Sequence, residues 1–333
     1  MKLFYLAFTG RGMALAETLA AELDGEVMRC GQPLKLDAWT AARFPEADGL
    51  VFVGAVGIAV RAIAPHVRSK TSDPAVVAVD ECGRFAVPLL SGHLGGANDL
   101  ARKIAKVCGA VPVITTATDA NGVFAVDEWA KRQNCTVANA ERIKLVSGAL
   151  LAGKPVRVRS PWPIAGEPPA GIIPVENGPC DVALDVCGGT EEALRLVPRI
   201  AVLGVGCRRG ISCEALEEAF AALRQRTGLA ESAICAAATI DLKKDETGLL
   251  EFCERHGWPL HIYTAAELQT AQGAFTASEF VTSVTGVDNV CERAAVLAAG
   301  DGGTLRWKKQ AGGGVTMAAA LRPFAPTWRW QDE

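Results

Sequence analysis

The sequence predicts an α/β protein: N-terminal and C-terminal α/β domains with layered sheets, joined by a small proline-rich middle module. Three observations support this fold class. Short apolar segments alternate with helical patterns in the first third of the chain, prolines cluster over residues 153–180, and a second alternating series begins near residue 199. We therefore predict domains over residues 1–125, 126–197 and 198–323, with an irregular middle module.

The N-terminal domain begins with strand and helix patterns in alternation. Residues 3–9 form an apolar run suited to a strand, and leucines at four-residue spacing then mark a helix face. Residues 50–53 are a fully apolar strand candidate, and a helix over 58–64 is stopped by Pro65. This order predicts a parallel or mixed sheet covered by helices.

A β-hairpin is predicted next. Apolar runs at residues 76–79 and 85–90 flank the turn-forming segment Asp-Glu-Cys-Gly-Arg at 80–84. Pro88 lacks a backbone N–H, which predicts that the second arm of the hairpin lies at a sheet edge.

A helix is predicted directly after the segment SGHLGG. Apolar residues recur at helical spacing from residue 97 to residue 108. Asn98 or Asp99 is the expected cap at its start, and Gly109 the expected end.

The C-terminal domain repeats the alternation. A strand at residues 199–203 leads through Gly-Val-Gly-Cys-Arg-Arg-Gly into a helix over about 214–226, for which Ser212 is the predicted N-cap. The remaining predicted elements are a strand over 233–240, a helix over 245–255 and a closing strand over 315–321.

The composition argues against several classes of protein. With a net charge of −3 and 6% aromatic residues, the 333-residue chain is not expected to bind nucleic acid. No apolar run reaches the roughly 18 residues that a membrane span needs. The first apolar run breaks at Gly10, so we expect no signal peptide and a cytoplasmic protein. The eleven cysteines show no CxxC spacing, which predicts buried thiols rather than a metal site or disulfides.

The segment SGHLGGAN contains the strongest candidate site residues. The imidazole of His93, with its near-neutral pKa, is suited to general acid or base catalysis, and Gly95 and Gly96 could offer N–H groups to an oxyanion. The alternative is a histidine that only holds the loop. Ser91 is a candidate catalytic residue, although the absence of a GxSxG motif favours a hydrogen-bonding role, and Asn98 could bind substrate.

Two acidic residues in the hairpin turn, Asp80 and Glu81, precede this loop. One of them could face His93 and orient its ring, which makes Glu81 a further candidate catalytic residue. Both could equally be solvated turn residues, and the sequence leaves these alternatives open.

Paired glycines stand at two positions where a strand leads into a helix, Gly54 with Gly57 and Gly204 with Gly206. Backbone N–H groups there could hold an anion. A tight turn that needs glycine for steric reasons is the other interpretation. Neither pair completes a nucleotide-binding motif.

Several segments together resemble one known family. The segment GAVGIAVRAIAPHVRSKTSDPAVVAVDECGRFAVPLLSGHLGGANDLA resembles the N-terminal signature of the cobalt-precorrin-5A hydrolases of anaerobic cobalamin synthesis. AVLGVGCRRGISCEAL, TIDLKKDETGL and VTGVDNVCERAAVLAAG resemble the C-terminal domain of that family. The resemblance covers nearly the whole chain and is weakest over residues 126–197.

The resemblance implies a hydrolase that opens the δ-lactone of a ring-contracted cobalt tetrapyrrole and releases acetaldehyde, giving cobalt-precorrin-5B. The substrate carries the cobalt, so we expect no cofactor and no metal ligands in the protein. The predicted substrate-binding residues are cations for the substrate carboxylates and residues of the glycine-containing loops: Gly54, Gly57, Arg61, Lys70, Gly95, Gly96, Asn98, Gly206, Cys207, Arg208 and Lys243.

A non-catalytic carrier of corrinoid intermediates is the alternative function. A carrier and an enzyme would need the same anion-binding pocket, but only an enzyme needs a base such as His93. Neighbouring enzymes of the cobalamin pathway and a second copy of the chain, in a homodimer, are further candidate partners. No membrane partner is expected.

Overall fold

The computed structural model describes residues 1–31, 34–69, 72–93, 95–188 and 192–330. The chain divides into two compact units, Met1–Glu128 and Trp129–Glu333. The predicted α/β fold class is confirmed, because each unit combines β-sheet with helices.

The first unit is built on a sheet with parallel strands at its centre. Its strands are β1 (Leu3–Ala7), β2 (Glu26–Arg29), β3 (Gly49–Val53), β4 (Ala75–Val79), β5 (Phe85–Leu90) and β6 (Val111–Pro112). Their order is β2-β1-β3-β4-β5-β6. The first four strands run parallel, β5 returns antiparallel to β4, and β6 is parallel to β5.

Helices cover both faces of this sheet. The strands β1, β3 and β4 are therefore buried at every position. The helices are α1 (Gly10–Leu23), α2 (Leu36–Arg43), α3 (Val56–Ile63), α4 (Ala97–Cys108), α5 (Ala117–Ala120) and α6 (Val126–Arg132). One core contains apolar residues of α1 and α4. The core on the other face contains residues of α2 and α3.

The predicted hairpin is confirmed, but two details of this region were predicted wrongly. Pro88 does not lie on the edge strand, because β6 adds outside β5; β6 is so short that it pairs only with Phe85 and Ala86. The cap of α4 is Gly96 in the left-handed conformation (φ 86°), without a side-chain cap. The side chain of Asn98 is buried and bonded elsewhere.

The middle region of the chain is more regular than predicted. It forms a sheet ordered β7-β11-β10-β8-β9 from β7 (Cys135–Val137), β8 (Val156–Arg159), β9 (Ile172–Val175), β10 (Val182–Leu184) and β11 (Leu194–Pro198), with helix α7 (Ile143–Leu151). Most of the clustered prolines lie in the connections between strands, and Pro174 lies in the edge strand β9, where a missing N–H is tolerated. Proline clustering therefore marked long connections rather than irregular structure.

The C-terminal region has a sheet ordered β14-β13-β12-β16-β15. Its strands are β12 (Ala201–Cys207), β13 (Ile234–Ile240), β14 (Leu260–Tyr263), β15 (Thr304–Gly312) and β16 (Val315–Leu321). Its helices are α8 (Cys213–Thr227), α9 (Thr247–His256), α10 (Ala265–Thr270), α11 (Glu279–Thr285) and α12 (Cys291–Ala299). Ser212 is the N-cap of α8 as predicted, because its side chain accepts a hydrogen bond from the backbone N–H of Ala215.

Within the described part of the chain, no helix has the length and apolar character needed to cross a membrane.

Candidate active site

Residues 91–93, 95 and 96 of the segment SGHLGGAN form a tight loop between β5 and α4, and its last two residues begin α4. Ser91 adopts a left-handed conformation (φ 57°), and its buried hydroxyl donates a hydrogen bond of 2.9 Å to the carbonyl oxygen of Asp73. A Cβ atom at Gly95 would lie 2.3 Å from the Cβ of Ser91, so only glycine fits there. Ser91 therefore holds the loop, in line with the predicted hydrogen-bonding role, and this geometry does not support a catalytic Ser91.

His93 lies between two carboxylates. Its Nε2 atom is 2.8 Å from Oδ2 of Asp119, and its Nδ1 atom is 3.2 Å from Oδ2 of Asp127. Both ring nitrogens face acceptors, an arrangement in which both carry protons and the ring is an imidazolium. The hydroxyl of Thr118 also lies 3.3 Å from Nε2.

Asp119 is the centre of the hydrogen-bond network. Besides His93, its carboxylate accepts hydrogen bonds from the hydroxyl of Thr116, from Nδ2 of Asn98 at 3.2 Å and from the guanidinium of Arg102. Asn98, predicted to bind substrate, thus uses its side chain to orient Asp119. The network joins the loop before α4, the first turns of α4 and the short helix α5.

The carboxylates change the ionisation expected for His93. Burial alone would lower the pKa of His93, but hydrogen bonds to Asp119 and Asp127 and the nearby charge of Glu128 outweigh burial and raise it to about 10. Burial would raise the pKa of Asp119, but its bonds from His93 and Thr116 lower it to about 2. With this raised pKa, His93 is a cation at neutral pH, which suits the general-acid form of the predicted role rather than the general-base form; the catalytic role itself stays a prediction.

Glu128 has the titratable side chain suited to take up a proton near neutral pH. It is 5% exposed, and among the described residues neither carboxyl oxygen has a hydrogen-bond partner. Oε1 lies 3.8 Å from Nε2 of His93 and 4.0 Å from Nη1 of Arg102. Burial, together with the charges of Asp119 and Asp99, raises the pKa of Glu128 to about 7.

The hairpin-turn acids do not face His93. The hydroxyl of Thr9 donates a 2.6 Å hydrogen bond to Glu81, and Asp80 accepts backbone hydrogen bonds within the turn. Glu81 follows the carboxyl end of β4, whereas the loop of His93 follows β5 beside the amino end of β4. A five-residue strand spans roughly 16 Å, so the alternative in which Glu81 orients His93 is wrong.

The predicted residues Gly54, Gly57 and Arg61 follow the carboxyl end of β3, on the same side of the sheet as Glu81, which follows the carboxyl end of β4. Gly54 follows β3 and packs against the ring of Phe8, where an added Cβ would come within 2.7 Å of a ring carbon. Arg61 is exposed, and its guanidinium donates to the carbonyl oxygen of Gly57 at 3.3 Å. These residues do not join the His93 network. Lys70 lies outside the described residues.

The predicted substrate-binding residues of the C-terminal region do lie together. Gly206 and Cys207 end β12, Arg208 follows it directly, and Lys243 follows the neighbouring parallel strand β13. Arg208 is exposed, Lys243 is half-buried and lies 3.5 Å from Glu246, and burial raises the pKa of Cys207 to about 11. The carboxyl ends of adjacent parallel strands are a common position for ligands in α/β sheets.

Three carboxylates of the His93 network were missed in the sequence, as were Arg102, Thr116 and Thr118. Asp119, Asp127 and Glu128 belong to the segment TTATDANGVFAVDE, which has no periodic pattern or familiar spacing. The acidic pair at positions 127–128, directly after the apolar residues Val-Phe-Ala-Val, was the one local signal, since it places two carboxylates beside a buried segment.

Three residues of the His93 network also lie close enough together to be considered as metal ligands. Ligand atoms of His93, Asp119 and Glu128 lie within 4.8 Å of one another, close enough for one cation to bridge. A metal-binding imidazole must be neutral at the ligating nitrogen, whereas His93 uses both nitrogens toward carboxylates. The expectation that the protein supplies no metal ligands stays a prediction.

A buried carboxyl group beside an imidazole held by two carboxylates occurs in the active sites of acid–base enzymes and also in structural ion-pair networks. Family models match along the chain. They are cobalamin synthesis G N-terminal at residues 38–119, cobalamin biosynthesis central region at 124–178 and cobalamin synthesis G C-terminus at 201–320.

Named relatives extend this match over most of the chain. A cobalt-precorrin-5A hydrolase of Priestia megaterium is 32% identical over 84% of this chain and 80% of the relative. One of Salmonella typhimurium is 36% identical over 87% of this chain and 89% of the relative. The chain belongs to the cobalamin synthesis G family, whose members include these hydrolases, and the predicted family membership is confirmed.

Solved structures give weaker similarity. A cobalamin biosynthesis protein G homolog from Sulfolobus solfataricus is 20% identical and covers 97% of each chain, with a TM-score of 0.41. CobE, a protein from the cobalamin biosynthetic pathway, is 28% identical and covers 38% of this chain and 94% of its own, with a TM-score of 0.36.

Proposed function

We propose that the protein is a cobalt-precorrin-5A hydrolase, which opens the δ-lactone of its cobalt tetrapyrrole substrate and releases acetaldehyde to form cobalt-precorrin-5B. The names of the relatives and the order of the three matched domains support this activity. The single observation that carries the chemistry is Glu128, a buried carboxyl without a hydrogen-bond partner among the described residues, beside the His93 imidazolium.

The reaction consumes one water molecule. Water adds to the lactone carbonyl, and the lactone C–O bond breaks to leave a carboxylate and an alcohol. Deprotonation of that alcohol breaks the adjacent C–C bond and releases acetaldehyde. The electron pair of the broken bond passes to the macrocycle, which takes up a proton. The cobalt stays in the substrate throughout.

Glu128 is the proposed base in these steps. With its pKa near 7, the group is ionised in a large fraction of molecules at neutral pH and can take a proton from water or from the alcohol. His93 and Arg102 supply the positive charge that stabilises the oxyanion formed at the carbonyl. Asp119 and Asp127 are positioning residues, because they act through the ring of His93.

Cations away from this network are proposed to hold the substrate carboxylates. Arg208 and Lys243 follow two adjacent strands, and Arg61 lies on α3. The predicted role of Lys70 in binding substrate stays a prediction, because this residue lies outside the described part of the chain.

The cytoplasm is the proposed compartment of the reaction. All eleven cysteines, each of which the structure describes, are free thiols. Free thiols persist in a reducing compartment.

The test is incubation of the purified protein with cobalt-precorrin-5A under anaerobic conditions, with acetaldehyde trapped as a hydrazone. The wild-type protein and a Glu17→Gln control, altered at an exposed position of α1, should release acetaldehyde. Glu128→Gln should release far less. Substrate that binds and is recovered unchanged from the wild-type protein would overturn the proposal in favour of the carrier.

A further inference from the structure

The second unit contains a large open cavity remote in sequence from His93. Its volume is about 980 Å³, at the upper end of the usual range for small-molecule sites. Strands β7 and β11 of the middle sheet form one side. The C-terminal end of α8, the start of β13 and the residues that follow α9 form the other. None of the predicted site residues lines this cavity.

Three arginines line the cavity, Arg195, Arg199 and Arg224. Arg224 is paired, since its Nη1 donates to Glu231 at 2.7 Å, yet its buried Nε has no hydrogen-bond partner among the described residues. Arg195 and Arg199 form no ion pair within the described part of the chain. Glu231 is the acidic residue of the lining, so the cavity carries an excess of positive charge.

A flat aromatic wall completes the cavity. The ring of His256 stacks on Trp258, with ring centres 4.2 Å apart and planes inclined by 11°. His256 is fixed from both sides, because Nδ1 lies 3.1 Å from Glu231 and Nε2 lies 3.1 Å from Glu217. The stacked pair is therefore held in place as a fixed part of the cavity lining.

We propose that this cavity binds a ligand that carries two or more carboxylates on one rigid scaffold, held by Arg195, Arg199 and Arg224. The arginines present planar groups that match carboxylates in two-point contacts. The volume favours a scaffold larger than a simple organic acid. We therefore expect a corrin-sized ligand with peripheral carboxylates, and a small polycarboxylate is the alternative that the second probe tests.

Binding can be measured on the full-length protein by isothermal titration calorimetry with two probes, cobyrinic acid for the corrin source and citrate for the small acid. Cobyrinic acid has no lactone and cannot be turned over, and the arginine variants separate its binding in this cavity from its binding at the cations proposed for the substrate. Arg199→Ala and Arg195→Ala should each raise the Kd of the probe that binds by about tenfold, the loss expected for a charge-assisted contact. If only one of the two probes binds tightly, that probe identifies whether the ligand is a corrin or a small polycarboxylate.

Arg226→Ala is the matched control, because this arginine lies in the last turn of α8, is exposed and does not line the cavity. It should leave the Kd unchanged. Circular dichroism should show that every variant is folded, and Arg199 is the safest position because its side chain is exposed. The proposal is overturned if neither probe binds, if both arginine variants bind as the wild type does, or if Arg226→Ala weakens binding equally.

Discussion

His93 and Asp119 are joined by a 2.8 Å hydrogen bond between Nε2 and Oδ2, although 26 positions separate them in the chain. The bond links the loop before α4 to the short helix α5. Together with Asp127 on the other ring nitrogen, it makes His93 a partly buried cation rather than a free base. The following predictions test this arrangement and the proposals built on it.

The ionisation of His93 is directly measurable. At about pH 8, ¹⁵N NMR of protein labelled at histidine should show both ring nitrogens of His93 protonated, because its pKa is raised to about 10. Asp119→Asn should lower that pKa by removing an acceptor and its charge. His93→Asn assigns the signal. A neutral ring at this pH in the wild-type protein would contradict the imidazolium assignment.

Glu128 should set the pH dependence of the reaction. If its carboxylate is the base, kcat/KM should rise with pH around an apparent pKa of about 7. Glu128→Gln should lower kcat by roughly 10²–10⁴ and remove that inflection. Glu17→Gln, on the exposed face of α1, should keep both. An unchanged inflection in Glu128→Gln would assign the titration to another group.

The same groups should affect the stability of the fold. The pKa of Glu128 is raised from 4.5 to about 7 on folding, so its contribution is fully present below about pH 4.5 and is lost as the pH rises through 7. The contribution of His93 is present below about pH 6.5 and is lost as the pH rises through 10. Denaturant unfolding should therefore show two falls in the free energy of unfolding.

Glu128→Gln serves as the control for this stability profile. Because glutamine does not titrate, the fall between about pH 4.5 and 7 should disappear, and the variant should be more stable than the wild type above pH 7. A profile identical to that of the wild type would show that Glu128 titrates normally.

Gly95 should be intolerant of substitution. Its added Cβ would lie 2.3 Å from the Cβ of Ser91 and 2.9 Å from the Ser91 carbonyl oxygen, so Gly95→Ala must displace the loop that positions His93. We expect a loss of about 1–3 kcal/mol in stability, the usual cost of overpacking, together with lower kcat. Gly57→Ala is the matched control.

Gly57 differs from Gly95 because it has space for a Cβ atom. An added Cβ at Gly57, inside α3, would meet only the flexible end of Arg61 at 3.6 Å. Alanine there should be neutral or should stabilise the helix by up to about 1 kcal/mol. Equal losses in both variants, measured by chemical denaturation, would remove the special role of Gly95.

Arg208 and Lys243 should affect substrate binding in different ways. Arg208 is exposed and lies over the turn at Gly314, so Arg208→Ala should raise KM with little change in kcat or melting temperature. Lys243 lies 3.5 Å from Glu246, which also accepts a hydrogen bond from the backbone N–H of Gly210. Lys243→Ala should therefore raise KM and also lower the melting temperature. A lower kcat at unchanged KM would assign either cation to the chemical step.

Much of the local structure could be predicted from the sequence. The helix over residues 97–108 and the Ser212 cap were predicted correctly, because both depend on residues within four positions of one another. The edge position of Pro88 was predicted wrongly, because β6 is too short to show any periodicity. The sheet of the middle region was missed for a related reason, since prolines dominate its connections.

The fold class and the family signatures could be read from the sequence, and so could the prediction that the loop around His93 forms part of a site. The tertiary structure decided which carboxylates face that histidine. Asp119, Asp127 and Glu128 reach it only when the chain after α4 folds back, and Glu81 is carried to the opposite end of the hairpin. A protonated His93 and a Glu128 that titrates near neutrality follow from burial and from charges on other elements, and these conditions exist only in the folded chain.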